Sequence, residues 1–294
     1  MKKFFLKLMI FFVIVAAIDV GYGFYCDYYR RHVKDGMTRM DNIAAYETRA
    51  DILIFGSSRA RRHYDTRILS DSLGMSCFNC GFNSLGINFF SFRLQQILER
   101  YTPKMIIYDI TPHYDMMQTD GTQADILGLK PYFHDARAYA KIREANMVEW
   151  IKCHMATYRF HDAIEEYRAD DKSRSGFING YAPLKGTWKI KEQRHDQKTK
   201  DSAKMRMLEE LMATCQAKGL KLIFVLSPYY HNDMGDLAAG LRPLAQRYGV
   251  PVIDHFNDSA FINSDSLYRD ASHLNARGAT AFTTALIPEL KPHL

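Results

Sequence analysis

The sequence predicts an α/β fold, a parallel sheet with helices on both faces. Short apolar runs that read as buried strands alternate with stretches of helical spacing. The runs and helices stop at Gly, Pro or Asp rather than merging. The chain has 294 residues, 47% of them apolar and 24% charged, enough to bury a sizeable core and unlike a disordered or fibrous protein. Thirty-nine basic and thirty-three acidic residues give a net charge of +6, with no run of five Lys/Arg and no nucleic-acid-binding motif. No nucleic-acid partner is expected.

The first element is apolar. Lys2, Lys3 and Lys7 precede Leu8 to Ile18, eleven apolar residues without interruption; Asp19 breaks the run, which resumes to Tyr25. Counted from Phe4 to Phe24 the segment is long enough for one membrane span. Counted strictly it also fits a signal-peptide core, with Val15-Ala16-Ala17 as a weak cleavage site, or a buried helix of a soluble protein. Tyr22, Tyr25, Tyr28 and Tyr29 suit an aromatic belt, and we take residues 1–28 as an uncleaved anchor. In the usual orientation of such anchors the body, residues 29–294, faces the periplasm or the outside, off the cytoplasmic (inner) membrane.

Strands are expected at Ala50–Phe55, Ser76–Cys80, Met105–Ile110, Leu220–Leu226 and Pro251–Asp254. Helices are expected at Thr66–Leu73, stopped by Gly74; Ile87–Tyr101, stopped before Pro103; Lys198–Lys218, ended by Gly219; Asp236–Tyr248; and Asn275–Leu290. Asp135–Arg168 has no Pro or Gly and reads as largely helical. The region from about Thr119 to Lys198 has no strong strand and reads as a helical insertion on one rim, a cap over the site. Parallel sheets bind ligands outside the carboxyl ends of their strands.

Two motifs sit at such ends. Strand one runs into Gly56-Ser57-Ser58-Arg59, where Gly permits a tight turn and a following helical turn sets positive backbone dipoles behind Ser58. Ser and Gly are also ordinary turn residues. Asp270-Ala-Ser-His273-Leu-Asn275 precedes the last helix; Asp and His three apart can share a side, the carboxylate fixing the imidazole tautomer while the other ring nitrogen faces a hydroxyl. Alone, each fits a cap or a surface residue. Together they fit one reaction, with Ser58 as nucleophile, His273 as base and Asp270 as its orienter. A common α/β-hydrolase places its elbow after several strands, with a second Gly where this chain has Ala60.

These two blocks resemble the SGNH/GDSL hydrolase family, over most of the chain after about Asp51 apart from the insertion. The resemblance implies a flavodoxin-like three-layer α/β/α sandwich, a Ser58–His273–Asp270 triad and no cofactor. With Ser-Ser in the first block and the anchor, the chain looks most like bacterial envelope members. Those are the D-alanyl transfer protein of the teichoic acid pathway and the O-acetyltransferases of alginate and peptidoglycan. The family's second block supplies a backbone N–H to the oxyanion; here Asn79-Cys-Gly81-Phe-Asn-Ser84 aligns, with Ser84 or Gly86 in the Gly position and Gly81 as a further candidate. The third block supplies an Asn side chain. Asp109-Ile-Thr-Pro-His-Tyr114 has none, which leaves His113, Thr111 or backbone donors alone.

The implied activity is an O-acyl esterase or O-acyltransferase acting on an acylated cell-envelope glycan or a small acyl ester. As a transferase it takes a membrane-bound O-acyltransferase as partner. A catalytically weak glycan-binding or scaffold protein of the same fold is the alternative that the absent Asn raises. Arg59, Arg61, Arg62 and His63 beside the nucleophile suit either an anionic glycan or phosphate or a solvated turn. Cys77 and Cys80 read as two buried thiols rather than a redox pair, and Trp150 and Trp188 as core rather than a sugar platform. His134, His154, His161, His195, His231 and His255 have no persuasive zinc-ligand spacing.

Overall fold

The computed structural model describes residues 1–118, 126–161, 163–173, 175–187, 199–230 and 236–294. The chain forms two compact units, Met40–Asp125 with Ser175–Leu294, and Met1–Arg39 with Ile126–Arg174.

The first is built on a five-stranded, all-parallel sheet in the order β2-β1-β3-β4-β5. The strands are β1 (Ile52–Gly56), β2 (Cys77–Asn79), β3 (Met105–Asp109), β4 (Lys221–Leu226) and β5 (Val252–Asp254). β1 and β3 are buried along their whole length, because helices cover both faces and no strand residue needs to be polar for solvent. One face packs Ile52, Ile54, Ile107, Ile223 and Val225 against Tyr64, Leu69, Phe282 and Leu286. The other carries an aromatic stack, with Phe55 on Phe90 at 5.6 Å and Tyr108 edge-on to Phe224 at 6.0 Å. The strand order reverses beside β1, so loops leaving β1 and β3 diverge and open a crevice at their carboxyl ends. This is the three-layer α/β architecture that the alternating pattern implied.

The local chemistry sets the helix limits. Asp65 caps the Thr66–Leu73 helix by accepting the Arg67 N–H at 3.0 Å, and Gly74 ends it at φ 65°. Asp201 caps Ser202–Ala217, so that helix begins later than expected. Asn275 caps Ala276–Leu290 through Gly278. The helix expected over Asp236–Tyr248 is instead a 3₁₀ turn, Leu237–Gly240, followed by Arg242–Arg247 with Pro243 in its first turn, where a missing N–H breaks no ladder.

In the other unit α1 runs from Lys2 to His32 and is long and apolar enough to cross a membrane. Its side chains from Phe4 to Ile18 are largely exposed, whereas Cys26 and Val33 pack with Ala156, Phe160 and Tyr167. Asp135–Arg168 is not the near-continuous helix its composition suggested. It breaks into Ala136–Ala145, Met147–Lys152, Ala156–Arg159 and a helix over Ala163–Lys172. Asn146 ends the first in an extended conformation and caps the second through the N–H groups of Val148 and Glu149. Asp19 of α1 caps the third, a partner that local sequence spacing cannot reveal. Of the stretch 119–198 expected as an insertion, 126–173 lies in this unit and 175–187 in the sheet unit; Trp188 and His195, like His231, lie outside the described residues.

Candidate active site

β1 ends at Gly56, whose φ of 133° favours glycine and whose hypothetical Cβ would meet the Asp109 carbonyl at 2.6 Å. The chain then turns through Ser57, the N-cap of α2 (Ser58–His63). Ser57 is tied down by a 2.7 Å hydroxyl contact to Thr111, beyond the end of β3. Ser58 becomes the first residue of the helix, with its hydroxyl projecting into the crevice.

The loop before the last helix brings the second motif to the same place. Ser58 Oγ lies 2.7 Å from His273 Nε2, and His273 Nδ1 lies 2.9 Å from both Asp270 carboxylate oxygens. A carboxylate accepts only, so Nδ1 carries the proton and Nε2 is left to accept from the Ser58 hydroxyl. Burial pushes the Asp270 carboxyl up, but the hydrogen bond and charge of His273 and the hydrogen bonds from Ser272 outweigh it and hold it at about 2.

Behind this line sits His63, fully buried. The Leu274 N–H donates to its Nε2 at 3.0 Å, so its proton is on Nδ1, facing Ser227 Oγ at 2.9 Å. Burial, with the charges of Arg59 and His273, holds His63 well below the usual histidine range and therefore neutral. Ser227 in turn donates its backbone N–H to Asp109 at 3.1 Å, and Tyr64 donates its hydroxyl to the same oxygen at 2.9 Å.

The crevice of about 340 Å³ is lined by Ser58, Arg62, Asn83, Leu184, Arg269, Asp270 and His273. Several expected residues are placed elsewhere. Arg59 is 2% exposed; its guanidinium donates to the Ser227 carbonyl and hydroxyl and stacks over Phe256 at 5.1 Å, so it cannot reach a substrate. The Gly81 N–H donates to Asn79 Oδ1 at 2.9 Å and is not available to an oxyanion. Gly81 is there because any Cβ would strike the Arg61 backbone at 2.6 Å. Ser84 is exposed, at φ 59°, and His113 is exposed on the turn Pro112–Asp115, edge-on to Tyr114; neither lines the crevice. Thr111 is committed to Ser57.

Asn83, between Gly81 and Ser84 in the second block, also lines the crevice. Its Oδ1 is buried without a partner, while the residue is half-buried in the crevice wall. A second cavity, of about 380 Å³, is lined by Met212, Cys215, Leu222, Tyr248, Pro251 and His293, and burial lifts the Cys215 thiol to about 12. Cys77 and Cys80 are buried free thiols, raised by burial to about 11 and about 12.

The fold is similar to that of GDSL-type lipolytic proteins and acyl esterases. A Streptococcus pneumonia protein provisionally named a platelet activating factor is 12% identical, over 86% of this chain and 90% of its own, with a TM-score of 0.44. An acetyl xylan esterase is 13% identical over 83% of this chain and 100% of its own, at 0.41, and a GDSL-like lipase from Bacteroides thetaiotaomicron is 8% identical over 81% and 87%, at 0.38. No family model and no curated protein matches the sequence. Identity and score are low throughout, so the chemistry rests on the crevice itself.

Proposed function

We propose that the chain is a membrane-anchored serine acyl-transfer enzyme of the cell envelope. The observation that carries this is the continuous line Ser58–His273–Asp270, each contact within 2.9 Å. Ser58 Oγ attacks an ester carbonyl as His273 Nε2 takes its proton. The tetrahedral intermediate collapses to an acyl-Ser58 and the leaving alcohol receives the proton back from His273. Asp270 stays ionised and holds the imidazolium. Ser58 N–H, at the first position of α2, and the Asn83 side-chain amide are the oxyanion donors, replacing the Gly81, Ser84 and His113 roles expected from sequence. A water molecule then gives an esterase; a glycan hydroxyl gives an O-acyltransferase.

Arg62 and Arg269 on the crevice wall favour an oxygen-rich or anionic carrier of the acyl group, as an envelope glycan is. Arg269 forms no ion pair among the described residues. The exposed apolar half of α1 supports a membrane anchor; the reading takes that membrane as the inner one and the body as lying outside it, where a membrane-bound O-acyltransferase would deliver the acyl group. Stopped-flow turnover of p-nitrophenyl acetate tests the reading. A stoichiometric burst of nitrophenol that disappears in Ser58→Ala is expected; an equal burst or equal turnover in that variant overturns it.

A further inference from the structure

Besides α1, the described residues of the helical unit leave a second apolar surface uncovered. Met147, Val148, Ile151 and Met155 are 49–59% exposed, and their spacing places them on one helical face continuing into the turn after Lys152. Monomeric soluble surfaces scatter such side chains singly; four together mark a site of contact.

The position of this face along α1 says what covers it. Asp19 accepts the N–H groups of Ala156 at 2.7 Å and Thr157 at 2.9 Å, and the Thr157 hydroxyl at 2.7 Å. Ala156 sits against Gly23, where any Cβ would meet it at 2.8 Å. From there the chain packs Phe160 and Tyr167 along Cys26 and Val33, following α1 away from its apolar half. Met155, one residue before Ala156, therefore lies level with Asp19. One residue back along α1 from Asp19 is Ile18, 65% exposed, with Val15 a turn further. Met155 thus lies where the apolar run of α1 ends, and Met147, Val148 and Ile151 precede it on the neighbouring helix of the same unit.

We propose that Met147, Val148, Ile151 and Met155 insert into the membrane interface beside α1, so that the helical unit rests on the bilayer as an amphipathic seat rather than standing clear of it. The partner is the lipid surface. The inference rests on reading α1 as an anchor, and the test separates the two. The full chain is reconstituted in phosphatidylcholine/phosphatidylglycerol nanodiscs with an environment-sensitive fluorophore on Ile151→Cys, Phe11→Cys or Asp71→Cys; the native cysteines are buried. Quenching is read with nitroxide lipids of shallow and deep position and with aqueous iodide. The Ile151 probe should lose fluorescence to the shallow nitroxide and resist iodide, the Phe11 probe to the deep nitroxide, and the Asp71 probe to iodide alone. An Ile151 probe quenched by iodide as Asp71 is, with Phe11 still deep, overturns the seat and leaves the anchor standing. Protection of Ile151 from both quenchers assigns the face to a protein partner and also overturns it. A Phe11 probe in water removes the anchor and the seat together.

Discussion

On the β1 side of the crevice, Ser58, His273 and Asp270 are each held by a hydrogen-bonded polar partner or a capped turn. Ser58 is fixed by the cap at Ser57, His273 by Asp270, and the next residue, Leu274, by a neutral His63 anchored on Ser227. On the β2 side, Asn83 is half-buried with an unpartnered Oδ1, and Ser84 beside it is exposed in a left-handed conformation. Under the proposed reaction the Ser58–His273–Asp270 line is organised before substrate arrives, whereas on the Asn83 side an acceptor oxygen is left without a donor. If Ser58 reacts as proposed, such a division makes the rate depend on how well the acyl donor fits the Asn83 side.

The largest effect should come from cutting the organised side. Ser58→Ala or His273→Ala should lower kcat for an aryl acetate by about 10⁴-fold or more, with the double variant no worse than either single one. Additive losses in the double variant would show that the two groups do not act as a unit. Next, Asn83→Ala should reduce kcat by about 10²- to 10³-fold with a small change in KM. A change confined to KM would place Asn83 in ground-state binding and shift the oxyanion role to backbone N–H groups alone.

His63→Ala leaves the Leu274 N–H unpaired in a buried site, which should cost about 1–3 kcal/mol in urea unfolding and also lower kcat as His273 loses its fixed place. Loss of stability with unchanged kcat per folded molecule would reduce His63 to a packing residue. The smallest effect concerns Asp115, near the β3 end. Burial lifts its carboxyl to about 7, against hydrogen bonds from Tyr108 and Thr111 that lower it. Between the unfolded value of about 3.9 and about 7 the folded state holds a proton that the unfolded chain has lost, so stability falls as pH rises through that window and levels off above it. Asp115→Asn mimics the protonated form and should flatten that fall in the urea midpoint.

The parallel sheet was legible because its strands are uninterrupted apolar runs closed by Gly56, Asp109 and Pro228, a pattern set locally. Ser58, Asp270 and His273 were legible as paired motifs, and the structure draws them into one line across 215 positions of sequence. Arg59 was misplaced because adjacency in sequence says nothing of direction. One residue along a helical turn from Ser58 it points inward to Ser227, while Arg62, one turn on from Ser58, returns to the crevice. Gly81 was misread because a glycine required for close backbone approach resembles one required for a free N–H. Of the breaks in Asp135–Arg168, the one at Asn146 rests on a local cap, but the start of Ala156–Arg159 depends on Asp19, a cap more than a hundred residues away, which no local rule contains.

The proton-transfer line is tested most directly by reacting the full chain with a fluorophosphonate and mapping the adduct by mass spectrometry. The expected result is one stoichiometric adduct on the peptide carrying Ser58, lost in Ser58→Ala and strongly slowed in His273→Ala. An adduct on another residue, or undiminished labelling of Ser58→Ala, would contradict a nucleophile at the end of β1.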